Sequence, residues 1–240
     1  MTDLLPLAFT AVGVFLLAAL AQAVTGFGAA LVAVPLLTLV VDPVTAVVAA
    51  TTVSLVLTAG SWRRERLHVD TGQARRLTLA GVLGMPLGLI ALALSDEHTL
   101  SLLIGGALLV LVGLLSFGVR LPEGNVTAWT AGFLSGGLLT STGMNGPPLV
   151  LALQKLEPRR YRATLQAVFC GQDVVAVATF VALGHVSTTA LLLTAAGVLG
   201  LPLGWAMGDR IFRRVPAERF RPIVLGGLTV IAVVMLAGGS

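Results

Sequence analysis

Apolar stretches follow one another from end to end of the 240-residue chain, separated by short polar loops. Ten of them can be set out, at about 4–25, 28–41, 43–61, 75–94 and 99–119, then 127–142, 146–156, 161–183, 188–208 and 221–238. Most approach the ~20 residues that a helix needs to cross a bilayer. In lipid a backbone must satisfy its own hydrogen bonds, which an open sheet cannot do, so every segment is predicted to be helical. The fold class this implies is an all-α integral membrane protein, with no stretch left over for a soluble domain.

Two segments are interrupted in the same way. "TGFGAALVAVPLL" at 25–37 and "TGMNGPPLVLAL" at 142–153 each put glycine after a threonine and then resume an apolar run. A second motif also recurs: "AGVLGMPLG" at 80–88 returns as "AGVLGLPLG" at 196–204. The two recurrences have offsets of 117 and 116 residues, so the chain reads as two copies of one unit. The expected organisation is a first membrane repeat at 1–119, a linker at 120–125 and a second repeat at 126–240. Each repeat holds about five helical segments. A helix over 146–156 would be only about 16 Å long, roughly half the hydrocarbon thickness. Each Gly motif is therefore expected to turn the chain within the membrane, giving a broken or re-entrant helix pair.

Charge then orients the two units. Apart from Arg120 in the linker, all Lys and Arg fall in three clusters, at 63–76, 155–162 and 210–221. Such loops face the cytoplasm by the positive-inside rule. In the first unit the basic loop follows the third segment; in the second unit the loops after the second and fourth segments are basic, and "GHVST" after the third is not. Opposite insertion of the two units explains this, with both termini on the non-cytoplasmic side of the cell membrane. That is an inverted-topology repeat, a plan common among secondary transporters. The same placement accounts for the net charge of +4 without a nucleic-acid partner. The first apolar run lacks a basic n-region and carries Asp3, so it is read as a retained helix and not a cleaved signal.

With 56% hydrophobic and 11% charged residues, little catalytic chemistry is on offer. A single cysteine, Cys170, excludes an internal disulfide, and the three histidines lie far apart, so neither a metal site nor any other cofactor is expected. A chain break at depth exposes helix-start N–H groups that bind anions. Around the first break lie Gln22, Thr25, Gly26 and Gly28; around the second lie Ser141, Thr142, Gly143, Asn145 and Gly146. These supply hydroxyl, amide and backbone donors for a small anion, with no fixed positive charge. Asp173, in the middle of "VFCGQDVVAV", is an intramembrane carboxylate and a candidate proton carrier. Gln166 and Gln172 are expected to serve helix contacts, and Thr51, Thr52 and Ser54 supply hydroxyls in the equivalent part of the first unit.

The paired motifs "VTGFGAALVAVPLL" and "STGMNGPPLVLAL" resemble those of the TauE/SafE family, exporters of sulfite and organosulfur anions. The resemblance covers nearly the whole chain and takes in Thr25, Gly26, Phe27, Gly28 and Pro35, with Gly143, Gly146 and Pro147. Ala29 and Ala30 depart from it, where further glycine is often found. It implies transport of sulfite, sulfonates such as sulfoacetate or related sulfur-containing anions; the two inverted units make the leading reading a secondary exporter working by alternating access, and a core with one carboxylate and no basic residue speaks against an enzyme. The alternatives from other classes are an integral membrane enzyme and a passive anion channel.

Overall fold

A computed structural model of the chain describes residues 4–26, 28–117 and 124–214 and, singly, 122, 226, 229, 230 and 233. Every regular element among them is helical. In the first half these are α1 (Leu4–Thr25), α2 (Ala30–Leu37), α3 (Pro43–Glu65), α4 (Thr71–Leu94) and α5 (Glu97–Ser116), with a 3-10 turn at Arg66–His68. In the second they are α6 (Asn125–Thr142), α7 (Gly146–Leu153), α8 (Pro158–Ala182) and α9 (Thr188–Arg214). Five of them, α1, α3, α4, α8 and α9, are long and apolar enough to cross a membrane. The tenth expected segment, at 221–238, and most of the 120–125 linker lie outside the described residues.

Acids that the apolar pattern left between segments mark helix starts. Asp42, Asp70 and Asp96 precede α3, α4 and α5, and each accepts a backbone N–H three residues on, from Thr45 at 2.8 Å, Gln73 at 3.0 Å and Thr99 at 2.8 Å. Such caps satisfy N–H groups that no helix can pair internally and place negative charge at the positive end of the dipole. At exposed Asp96 the bonds to Thr99 hold the carboxyl below its ordinary value.

The short helices are shorter still than their apolar runs. α2 ends at Leu37, where Thr38 turns its hydroxyl back to the Pro35 carbonyl. α7 ends at Leu153, because Pro158 pushes Glu157 into an extended conformation and forces a new start for α8. Each has eight residues, about 12 Å of rise.

Packing follows the repeated motif. Its first copy lies on α4 and packs against α6, and its second lies on α9 and packs against α1; these are the two most extensive helix pairings among the described residues. In both, glycine brings backbone onto backbone: a methyl group on Gly84 would fall on the Phe133 carbonyl, and one on Gly204 on the Leu16 carbonyl. Small residues at such seams let helices approach closely where lipid offers no hydrophobic drive to associate. Along α4 from Leu77 to Met85 the neighbours on α6 advance from Gly132 to Thr140, so these helices run the same way. Val12, Leu16 and Leu20 of α1 likewise meet Gly200, Gly204 and Gly208 of α9 in order.

α3 and α8 run in opposite senses. Thr45 shares a hydrogen bond with Ser187 just beyond α8 (3.2 Å), Ser54 bonds Asp173 near the middle, and Glu65 pairs with Arg162 at the far end. That last pair belongs to a polar end of the molecule. Arg162 bonds Glu65 at 3.2 Å, lies 3.9 Å from Asp209, and stacks over Trp205 with 4.9 Å to the ring centre. Arg160 reaches Asp70 at 3.1 Å. The loop after α3, the start of α8 and α9 around Trp205 and Asp209 thus meet at one end.

Candidate functional site

Both interrupted segments break in the same manner. α1 closes with the Gly26 N–H bonded to the Gln22 carbonyl at 2.8 Å, and α6 with Gly143 N–H on Leu139 at 2.9 Å. The two glycines then turn left-handed, with φ of 75° and 73°. That backbone conformation costs an L-residue about 1–2 kcal/mol, which is why glycine stands there. Gly28 repeats the left-handed turn at φ 98°, whereas its counterpart Asn145 sits at φ −91° and leads directly into α7.

The breaks meet. A Cβ on Gly28 would lie 3.9 Å from Asn145 Oδ1 and 3.7 Å from Phe169, and one on Gly143 would lie 2.7 Å from Val34 of α2. α8 supports both through two glutamines. Gln22 Nε2 donates to Gln166 Oε1 at 3.1 Å, while Gln22 Oε1 accepts the Ala29 N–H at 2.6 Å and so caps the entry to α2. Gln172 Oε1 accepts from Asn145 Nδ2 at 3.3 Å and from Ser135 Oγ at 2.9 Å, and its Nε2 donates to the Leu77 carbonyl at 3.2 Å. Ser135 divides its single proton between Gln172 Oε1 and the Asn145 carbonyl, each at 2.9 Å.

The family model for the sulfite exporters TauE/SafE matches residues 11–235, which include both breaks and their α8 support. The chain belongs to the TauE/SafE family. No curated protein and no solved structure matches it. Membership makes this a multi-pass membrane protein of a transporter family, in keeping with its five spanning helices.

In this TauE/SafE protein the sequence-predicted site residues fall into three groups. Gly26, Gly28, Gly143, Asn145 and Gly146 line the paired breaks, and Gln22 is buried beneath the first with both ends of its amide engaged inside the protein. Ser141 and Thr142 stand beside the second break, but their hydroxyls donate to their own helix at Gly137 and Leu138, each at 2.8 Å. They thus offer an approaching anion lone pairs and no proton. The Thr25 side chain and Phe27 lie outside the described residues.

Asp173 forms the third group, turned toward α3. It is fully buried, and its Oδ2 accepts from Ser54 Oγ at 2.8 Å and from Thr58 Oγ1 at 3.5 Å. Its neighbour Gln172 faces the second break, so α8 joins carboxylate and break at adjacent positions. No other charged residue among those described is buried. The breaks are therefore lined by neutral polar groups, with no buried cation beside them among the described residues. Sequence reasoning missed Ser135 and Thr58. Ser135 had no signal of its own, but Thr58 stands four residues after Ser54, the spacing that puts two side chains on one helix face.

Proposed function

We propose that this TauE/SafE protein is a secondary transporter that exports sulfite or a sulfonate such as sulfoacetate across the cell membrane by alternating access. Its two units, 1–119 and 126–240 joined by 120–125, are inverted copies. Equivalent helices of the two copies, α3 and α8, lie antiparallel, while α1 pairs with α9 and α4 with α6, the exchange that a two-fold axis in the membrane plane produces. At about 12 Å, α2 and α7 suit re-entrant segments that do not cross.

The observation that carries the proposal is the contact of the two breaks at Gly28 and Asn145, among buried amides and, among the described residues, with no buried basic side chain. The anion sits there, held by the Asn145 side-chain amide and lined by Thr25, Gly26 and Gly28 from one unit and by Thr142, Gly143 and Gly146 from the other. Asp173 couples its movement to a proton. A protonated Asp173 removes a like charge from the vicinity, so sulfonate affinity rises as pH falls. The meeting of the basic loops at one end supports their sharing the cytoplasmic side, with both termini opposite.

Proteoliposomes loaded with labelled sulfonate test this reading. Under an imposed pH gradient the protein should concentrate sulfonate, and Asp173→Asn should bind it without concentrating it. Equilibration without accumulation would make it a channel, and release of a chemically altered product would make it an enzyme.

A further inference from the structure

Most hydroxyls on these helices bond back to their own carbonyls: Thr52 to Val48, Ser61 to Leu57, Thr179 to Val175 and Thr194 to Ala190. This is the default for Ser and Thr within a helix. The α3 face opposite Asp173 departs from it. Ser54 gives its proton to the carboxylate, and Thr58 divides its own between Asp173 and the Leu55 carbonyl. Thr51, one turn before Ser54 on that face, is fully buried, and its Oγ1 has no partner. The second carboxylate oxygen, Asp173 Oδ1, is buried without a partner as well.

Two buried polar atoms with nothing to bond are costly. A proton on Asp173 would neutralise the charge without meeting this need. It would turn Oδ1 from an unpaired acceptor into an unpaired donor, and leave Thr51 as it was. A small cation would satisfy both the charge and the oxygens. Its ligands here would be one carboxylate and several hydroxyls, all hard oxygen donors. A single carboxylate is too few for calcium, whose sites gather several within six to eight oxygens. No cluster of three or more metal-binding side chains exists among the described residues.

We infer that Asp173, Ser54, Thr58 and Thr51 form a binding site for a sodium-sized monovalent cation. The inference rests on the reading of Asp173 as a coupling residue. On binding, Ser54 and Thr58 turn their protons to the α3 carbonyls one turn back and present lone pairs to the ion. The groups that face Asp173 from α3 are hydroxyls, and Cys170 is the nearest titratable neighbour on α8 itself. The proton and the cation therefore compete for one carboxylate, and the ligand in place when the breaks release their anion sets the exchange.

Thermal unfolding and sulfonate binding of the purified full-length protein, in sodium chloride and in choline chloride at equal ionic strength, test the site. Sodium should raise the melting temperature where choline does not. The half-saturating sodium concentration should fall about tenfold per pH unit over the range in which the proton competes. Ser54→Ala and Asp173→Asn should abolish the sodium-specific shift, and Thr51→Val should weaken it, which keeps the test open if the Asp173 variant does not fold. Equal stabilisation by choline chloride, or a sodium shift that persists in both Ser54→Ala and Thr51→Val, would overturn the site. If sodium has no effect while sulfonate affinity still follows pH, the cation site falls and proton coupling stands. If affinity follows neither, both fall.

Discussion

The two chain breaks share a backbone geometry and differ in what surrounds it. Both open with a left-handed glycine that closes the preceding helix, at Gly26 and Gly143. At the first break, a second left-handed glycine and an Ala-Ala entry follow, and the Gln22 amide takes up the Ala29 N–H. At the second, Asn145 makes no capping bond with its side chain, and α7 opens with Gly146, Pro147 and Pro148. Proline has no N–H, so the start of α7 has fewer backbone donors to offer than a helix start normally has. The two breaks thus carry different polar groups: the first has its side-chain amide, Gln22, bonded to Ala29 and Gln166, and the second sets the Asn145 amide against Gln172. Two breaks of one backbone geometry need not carry the same chemistry.

The sharpest way to separate the breaks is to add a methyl group to each left-handed glycine. Gly143→Ala combines about 1–2 kcal/mol of backbone strain with about 1–3 kcal/mol of overpacking against Val34, 2.7 Å away. Gly26→Ala should cost only the backbone part, since its nearest neighbour, Tyr161, stands at an ordinary 3.6 Å. Thermal melts of the two purified variants should therefore place Gly143→Ala clearly lower. Equal melting temperatures would mean that α2 yields at Val34 and that the second break is no tighter than the first.

Substrate binding should show the next largest difference. Asn145→Ala removes the amide that bridges break and Gln172, and should weaken sulfonate binding by about 1.5–3 kcal/mol, the worth of a hydrogen bond to a charged group. Gln22→Ala should act on stability, because the Ala29 N–H loses its acceptor, at about 1–3 kcal/mol. Titration calorimetry beside thermal melts reads the two effects apart. A Gln22→Ala protein that melts normally and binds poorly would make Gln22 a ligand in its own right and erase the contrast.

The smallest effect is expected at Pro147→Ala, which returns one N–H to the start of α7. Stability should fall by about 0.4–1 kcal/mol through the greater freedom of the unfolded chain, with sulfonate affinity unchanged or slightly stronger. A marked loss of affinity would show that proline shapes the second break and does not merely thin its donors.

The helices and both breaks were legible in the sequence because their causes are local. Apolar runs set the spans and glycine marks the turns that other residues resist, while the starts capped by Asp42, Asp70 and Asp96 came only with the structure. The polar partners were not legible. Ser54 and Asp173 lie 119 residues apart, and Gln22 and Gln166 lie 144 apart, so no local pattern links them. The repeated "AGVLG" motif was visible as a repeat, but its task as a seam emerged only once α6 and α1 were seen lying on it.

That exchanged pairing also bears on how the protein is made. α6 follows α4 closely in the chain, whereas α9 begins 163 residues after α1 ends. At a synthesis rate of about 5–20 residues per second, α1 leaves the ribosome roughly 8–33 s before its partner. During that interval only its early neighbours such as α2 can cover it, and the side it later offers to α9 carries the Phe15 ring, which lies over Gly197, and the backbone of Val12, Leu16 and Leu20, which the glycines of α9 let approach. The helix that waits brings the bulky residues, and the helix that arrives last brings the grooves.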